Sequence, residues 1–208
     1  MPRIKAKCKI CRRYGERMLM KGERCLGAKC GAIRRGTRPG MHGKARRRAP
    51  SEFSSQLQEK QKVRYSYGLT NTGLAKVFAE AVRMPGRTSG TLMQLLERRL
   101  DNVIYRAGFA VSRGIARNIV SHGHFLVNGR RVTIPSYRVR AGEVISIRES
   151  SKDSPMFAEL LERLKKFEPP AWIELKPAEM KAVIRALPKE DELRSERNLR
   201  LVVEFYSK

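Results

Sequence analysis

The first fifty residues carry 17 lysines and arginines against two acids, Glu16 and Glu23. So many like charges, with few apolar residues among them, oppose collapse into a core. A segment of this kind needs something to cross-link it and a polyanion to rest on. The excess fades along the chain, with 16 basic and 7 acidic residues over 51–150 and 12 against 11 over 151–208. The net charge of +25 therefore points to a nucleic-acid partner, and most of it sits near the N-terminus. The balanced last quarter is expected to pack against protein. No apolar run approaches the ~18 residues of a membrane span. Met18-Leu19-Met20 is too short for the apolar core of a signal peptide. A soluble, unexported, cytoplasmic protein is expected, and 208 residues, 41% of them hydrophobic, suffice for one large domain or two modest ones.

The four cysteines, Cys8, Cys11, Cys25 and Cys30, all lie in this basic segment and can supply the cross-link. Two close pairs, C-x2-C and C-x4-C, are a common way to build a tetrahedral thiolate site. The surrounding cations favour thiolate. A reducing compartment argues against disulfides. The spacing predicts a structural metal, zinc ahead of an iron–sulfur cluster. Four cysteines leave no open coordination position, so no catalytic role is expected of it.

Beyond the cysteines, 34–50 reads as a loop in which cations alternate with Gly and Pro, followed by Arg46-Arg47-Arg48. Ser51 caps a helix running to about Tyr67. Thr70 or Asn71 opens another, with Leu74, Val77, Phe78, Ala81 and Val82 as its apolar stripe. A helix capped by Thr91 is expected to run to Gly108, with Arg98 and Arg99 turned away from its apolar face. Ser112 caps a helix ending at Gly123, on which Arg113 and Arg117 share one face away from Ile115 and can grip successive phosphates. The period then changes to two. Asn128-Gly129 marks a hairpin between Phe125–Val127 and 130–134, and 137–140 and 144–148 are read as further strand. A helix from about Ser154, another over 177–187 and a final strand over 201–206 complete the reading. Trp172, the single tryptophan, is expected to anchor a core. Asp101 sits among arginines and reads as an ion-pair partner. The chain shows no phosphate loop, nucleophile elbow or paired carboxylates, so no enzymatic activity is expected.

Leu96-Glu97-Arg98-Arg99-Leu100-Asp101-Asn102-Val103, followed by Tyr105–Ala110, Ser121-His122-Gly123-His124, Val127-Asn128-Gly129 and Pro135–Val139, resembles the S-four RNA-binding motif. Pro39-Gly40-Met41-His42-Gly43, Glu59–Arg64 and the ending Val203–Lys208 extend the likeness to nearly the whole chain, which is similar to the S-four family of bacterial small-subunit ribosomal proteins. The four cysteines resemble that family's zinc-carrying branch. Met41 stands where the family's loop has glutamine. The resemblance implies early binding to small-subunit rRNA at a multi-helix junction of its 5′ domain, nucleating assembly. It also implies contact with ribosomal protein S-five, with consequences for decoding accuracy, and a place near the channel by which mRNA enters. An organelle ribosome is the alternative location.

The expected fold class is α+β: a helical domain, a small α/β RNA-binding domain of two helices and an antiparallel sheet, and an N-terminal metal-bound arm. The boundaries expected are 1–45 for the arm, 46–91 for the first part of the helical domain, 92–175 for the RNA-binding domain with its following helix, and 176–208 for a segment returning to the helical part. The residues expected to bind RNA are Arg34, Arg35, Arg38, His42, Lys44, Arg46, Arg47, Arg48, Lys60, Lys62 and Arg64, then Arg98, Arg99, Arg113, Arg117, His122, His124, Asn128, Arg130 and Arg131. Two other function classes compete: an accessory domain of an RNA-modifying enzyme, and a zinc-dependent nucleic-acid-binding regulator.

Overall fold

A computed structural model describes residues 6–45, 49–152, 154–188 and 198–207. In chain order the helices are α1 (Lys7–Tyr14), α2 (Gly31–Arg34), α3 (Glu52–Ser66), α4 (Asn71–Arg83), α5 (Thr88–Glu97), α6 (Leu100–Arg106), α7 (Arg113–His122), α8 (Glu149–Lys152), α9 (Leu160–Lys165) and α10 (Leu199–Ser207). The strands are β1 (Phe125–Val127), β2 (Arg130–Arg131), β3 (Val144–Ile147), β4 (Ile173–Lys176) and β5 (Lys181–Ile184). The chain divides into two units, residues 1–92 with 195–208, and residues 93–194.

In the first unit, Ser51 and Thr70 start α3 and α4 as expected. Each side-chain oxygen accepts from the N–H three residues on, Ser54 at 3.2 Å and Gly73 at 2.9 Å. Leu74, Val77 and Ala81 are buried, while Val82 is 56% exposed, so the apolar stripe is narrower than its sequence pattern. The C-terminal segment is the helix α10 rather than the expected strand, and it packs chiefly on α3. Phe205 lies 5.8 Å from Phe53, and Tyr206 stacks on Phe78 at 4.7 Å. Val-Val-Glu-Phe-Tyr has strand-like composition, but Val202, Phe205 and Tyr206 recur at helical spacing and the available partner is a helix. Burial decides the conformation here. Met18, Met20 and Cys11 form a small core, against which Tyr65 of α3 packs from outside the arm. A 3.4 Å ion pair between Glu16 and Lys62 ties the same two segments.

The second unit folds its helices over a five-stranded antiparallel sheet of order β2-β1-β3-β5-β4. Its core joins α6 and α7 to β1, β3 and β5, with Phe125 in edge contact with both Phe109 and Phe157, and Trp172 4% exposed. The Asn128-Gly129 turn forms as expected, both residues having positive φ, and pairs Val127 with Arg130. Several elements differ from expectation. The helix expected over 91–108 begins at Thr88 and breaks at Arg98-Arg99. Thr91 lies inside α5, its hydroxyl donating to the Arg87 carbonyl. At the break Arg99 forms an isolated bridge with Arg138, which is all the strand that 137–140 contributes. The helix expected from Ser154 is a 3-10 turn (Pro155–Phe157) followed by the short α9. The helix expected over 177–187 is a 3-10 turn and then β5, which pairs with β3 and β4. Residues 176–184 thus complete the sheet of this unit and are not part of the helical one.

Candidate nucleic-acid interface and cysteine cluster

In the first unit Cys8, Cys11, Cys25 and Cys30 line one pocket, with Met20, Lys21 and Gly31 beside them. α1 presents Cys8 and Cys11 one turn apart, and a 3-10 turn (Gly22–Cys25) and the residue before α2 present the other two. The Met18 N–H donates to the Cys11 sulfur and the Lys21 N–H to the Cys25 sulfur, the latter at 3.3 Å. Burial pushes the Cys11 thiol up, the Met18 N–H opposes that, and the other three cysteines add to the rise. A Cβ on Gly31 would stand 3.1 Å from the Cβ and 3.4 Å from the sulfur of Cys8, so glycine lets the second pair approach the first. Among the described residues no three histidine, cysteine or acidic side chains already stand in metal-holding geometry.

Around this module the exposed cations are Lys9, Arg13, Arg17, Lys21, Arg24 and Lys29. None was singled out as a binding residue, although the charge of the first fifty residues includes all of them. Arg34, Arg35, His42 and Lys44 are exposed, and Arg38 is half-buried. Arg12 ties the following loop down, donating to the carbonyls of Thr37 at 2.9 Å and Arg38 at 3.4 Å. A Cβ on Gly43 would lie 2.1 Å from the Arg38 carbonyl oxygen, so the loop closes only with glycine there. Arg46, Arg47 and Arg48 fall outside the described residues.

The α3 cations depart most from expectation in this unit. Lys60 is 8% exposed, with its ammonium 4.4 Å from the centroid of the Phe205 ring and 5.7 Å from that of Tyr206. Burial, with the charge of Arg64, lowers its pKa. It braces α10 and is no exposed phosphate contact. Burial works against the charge of Lys62, but Glu59 at 2.6 Å and Glu16 at 3.4 Å outweigh it and hold the pKa up. Arg64 lies 4.1 Å over Tyr65.

In the second unit, exposed His122, Arg130, Arg131 and Arg148 and half-buried His124 gather where α7 meets the sheet. The imidazoles of His122 and His124 are 6.2 Å apart, and His124 Nδ1 shares a 3.0 Å hydrogen bond with the buried Ser151 hydroxyl. Burial lowers the His124 pKa, and the positive fields of His122, Arg131 and Arg148 add to this. Arg148 escaped sequence reasoning, because only the pairing of β3 with β1 brings it beside His124. Arg131 donates to the His122 carbonyl at 3.2 Å, its guanidinium lying where a Cβ of Gly123 would be. Gly123→Ala is expected to cost about 1 kcal/mol for the positive φ of 76° and to push Arg131 off that carbonyl. Urea unfolding checks the first effect and weakened RNA binding the second. Asn128 is exposed, and its Oδ1 accepts from the Val144 N–H at 2.8 Å.

Arg98, Arg99, Arg113 and Arg117 do not stand out into solvent as expected. Arg98 Nε donates to the Val139 carbonyl at 3.0 Å. Arg99 is 4% exposed and makes a two-point pair with Asp101 at 3.1 and 2.8 Å. Arg113 and Arg117 lie half-buried against acids at the α5–α6 junction, so the expected pairing of Asp101 with arginine holds.

Comparison with known proteins matches residues 3–97 to the ribosomal protein S4/S9 N-terminal domain and residues 98–145 to the S4 domain. The small ribosomal subunit protein uS4 of Pelotomaculum thermopropionicum is 48% identical over 201 residues, 97% of this chain and 96% of that one. This chain belongs to the uS4 family. The uS4 proteins of Gloeobacter violaceus and Nitratidesulfovibrio vulgaris are 45% and 46% identical over 97% and 98% of the chain. The two family models join at 97/98, in the Glu97-Arg98 step where α5 ends. The uS4 match spans nearly all of both chains, and the family is structural, so the enzyme-accessory reading falls. Among the described residues no helix is long and apolar enough to cross a membrane.

Proposed function

We propose that this chain is a primary binder of small-subunit rRNA in the bacterial cytoplasmic ribosome, holding a multi-helix junction of the 5′ domain and nucleating assembly there. The observation that carries the reading is the placement of exposed cations on braced scaffolds in both units. In the first they surround the cysteine pocket and the Gly43-closed loop. In the second they flank the α7–hairpin corner. Duplex RNA hides its base edges in a deep groove, so a protein recognises it by shape, phosphates and 2′-hydroxyls. Rigidly held cations suit that task, and phosphate contacts fix register without base readout. The zinc-dependent regulator reading has less support, because α2, directly after the last cysteine, is a single turn and leads into a Gly/Pro/Arg loop rather than a groove-reading helix.

Cys8, Cys11, Cys25 and Cys30 are the residues to hold a structural zinc ion in this reading. The chemistry of the donor set fits: four cysteines on one pocket, with two backbone N–H groups aimed at sulfur. The ion would tie the two halves of a segment whose apolar cluster among the described residues is small, centred on Cys11, Met18 and Met20. Contact with a protein neighbour, S-five, belongs to the same reading, and Phe53, 58% exposed and leaning on Phe205, is one side chain available for it. Through it the chain would contribute to decoding accuracy, close to the incoming mRNA.

Footprinting on naked small-subunit rRNA tests the reading. Protection confined to one junction is expected. Chelation of zinc, or Cys11→Ser, is expected to release about one metal ion per chain and to erase the part of the footprint due to the basic arm. Diffuse protection across the RNA would reduce the protein to a generic polycation. An unchanged footprint with no metal released would remove zinc from the account.

A further inference from the structure

Two acids four residues apart, Glu97 and Asp101, face two arginines four residues apart on α7, Arg113 and Arg117. Glu97 Oε1 stands 4.0 Å from Arg113 Nη2, and Asp101 Oδ2 stands 3.9 Å from Arg117 Nη1. Each acid is also paired with a second arginine. Arg106 Nε and Nη2 each lie 2.9 Å from a Glu97 oxygen, and Arg99 Nε and Nη2 lie 3.1 and 2.8 Å from Asp101. Asn102 completes the upper rung, donating to Glu97 Oε2 at 2.7 Å and accepting from Arg113 Nε at 2.7 Å. The Tyr105 ring lies under the Arg113 guanidinium at 4.6 Å.

Stability alone is a poor reason for this arrangement. Glu97 is 0% and Asp101 4% exposed, and desolvating a carboxylate costs about as much as, or more than, its ion pair returns, so apolar residues of the same volume would hold the helices as well. Arg113 and Arg117 lie on one face of α7, one turn or about 6 Å apart along its axis, each with a buried carboxylate about 4 Å from its guanidinium. Arg113 and Arg117 keep 17% and 21% of their side-chain surface open.

We infer that Glu97 and Asp101 are positioning residues that pre-set Arg113 and Arg117 as a paired grip for neighbouring phosphates of one RNA strand. The inference rests on the reading of α7 as part of the RNA-binding surface. The acids do not touch RNA. They remove the ordering that each arginine would otherwise undergo at the moment of binding.

The test uses the full chain, a small-subunit rRNA fragment containing the 5′ domain, and the variants Glu97→Gln and Asp101→Asn. RNA affinity is measured across a salt series, and folding is followed through Trp172, which is buried in the same unit. Each variant is expected to bind about tenfold more weakly. The slope of log affinity against log salt is expected to flatten by about one, which a purely structural role would not produce in folded protein. Adding Arg113→Ala to Glu97→Gln, or Arg117→Ala to Asp101→Asn, should cost little more, since the arginine is already out of place. If one neutralised acid prevents folding, the other rung carries the same test. Wild-type affinity and slope in the neutralised variants, beside clear losses in Arg113→Ala and Arg117→Ala, would overturn the positioning role. No loss in the two arginine variants themselves would overturn the RNA-face reading on which it rests.

Discussion

Raising the salt from 50 to 200 mM is expected to weaken binding to a 5′-domain rRNA fragment by about a thousandfold or more. That is the behaviour of a protein neutralising six or more phosphates. The exposed cations around the cysteine pocket, with Arg34, Arg35 and Lys44, already supply that many. Substituting them one at a time should lower the salt slope by about one each. Lys166 is equally exposed but lies in the charge-balanced last quarter, and Lys166→Ala should leave the slope alone. A loss of less than tenfold over this salt range would show that charge does not drive binding. The arm would then need another partner.

Gly108→Ala is expected to destabilise the second unit by about 3 kcal/mol, lowering its unfolding temperature by roughly 10 °C or more. Two costs add. Gly108 has φ +80°, and a Cβ there would lie 2.7 Å from two carbons of the Phe167 ring. The ring cannot simply withdraw. Arg163, a few residues before it, donates to the carbonyls of Gly108 at 3.1 Å and Phe109 at 2.9 Å and pins α9 over this turn. Gly142→Ala is the control. Its φ of +85° is equally strained, but nothing lies within 4 Å of a Cβ there, so it should cost only about 1 kcal/mol. Equal losses in the two variants would mean that the Phe167 contact carries no energy.

Local signals are legible in the sequence. Ser51, Thr70 and Ser112 cap helices because an oxygen three residues before an orphan N–H needs no tertiary context. Asn128-Gly129 turns for a similar reason. Errors came where distant contacts decide. The apolar pattern runs straight through Arg98-Arg99, and only the bridge to Arg138 breaks the helix. Lys181–Ile184 is too short to show a period, and its neighbours β3 and β4 make it a strand. The candidate site divides in the same way. The clustering of exposed cations on the arm and at the α7–hairpin corner, and the gathering of the four cysteines on one pocket, are legible, since composition and spacing carry them. The inward turn of Lys60, Arg99, Arg113 and Arg117 is not. A cation is normally placed outside, and what draws each of these in is an aromatic ring or carboxylate that only the fold brings near.

The docking of α10 on α3 has a consequence for the order in which the molecule is made. Gln56 is fully buried and donates to Glu204, 148 positions further along the chain. The first unit is thus interrupted, and α3 leaves the synthesising ribosome well before the helix that covers it. At ordinary elongation rates α3 waits on the order of ten seconds for the helix that covers it. The second unit is continuous and can fold in that interval. In a nascent chain arrested before residue 198 the sheet should therefore be finished while α3 is still bare, with Gln56 and Lys60 wet until the final helix arrives.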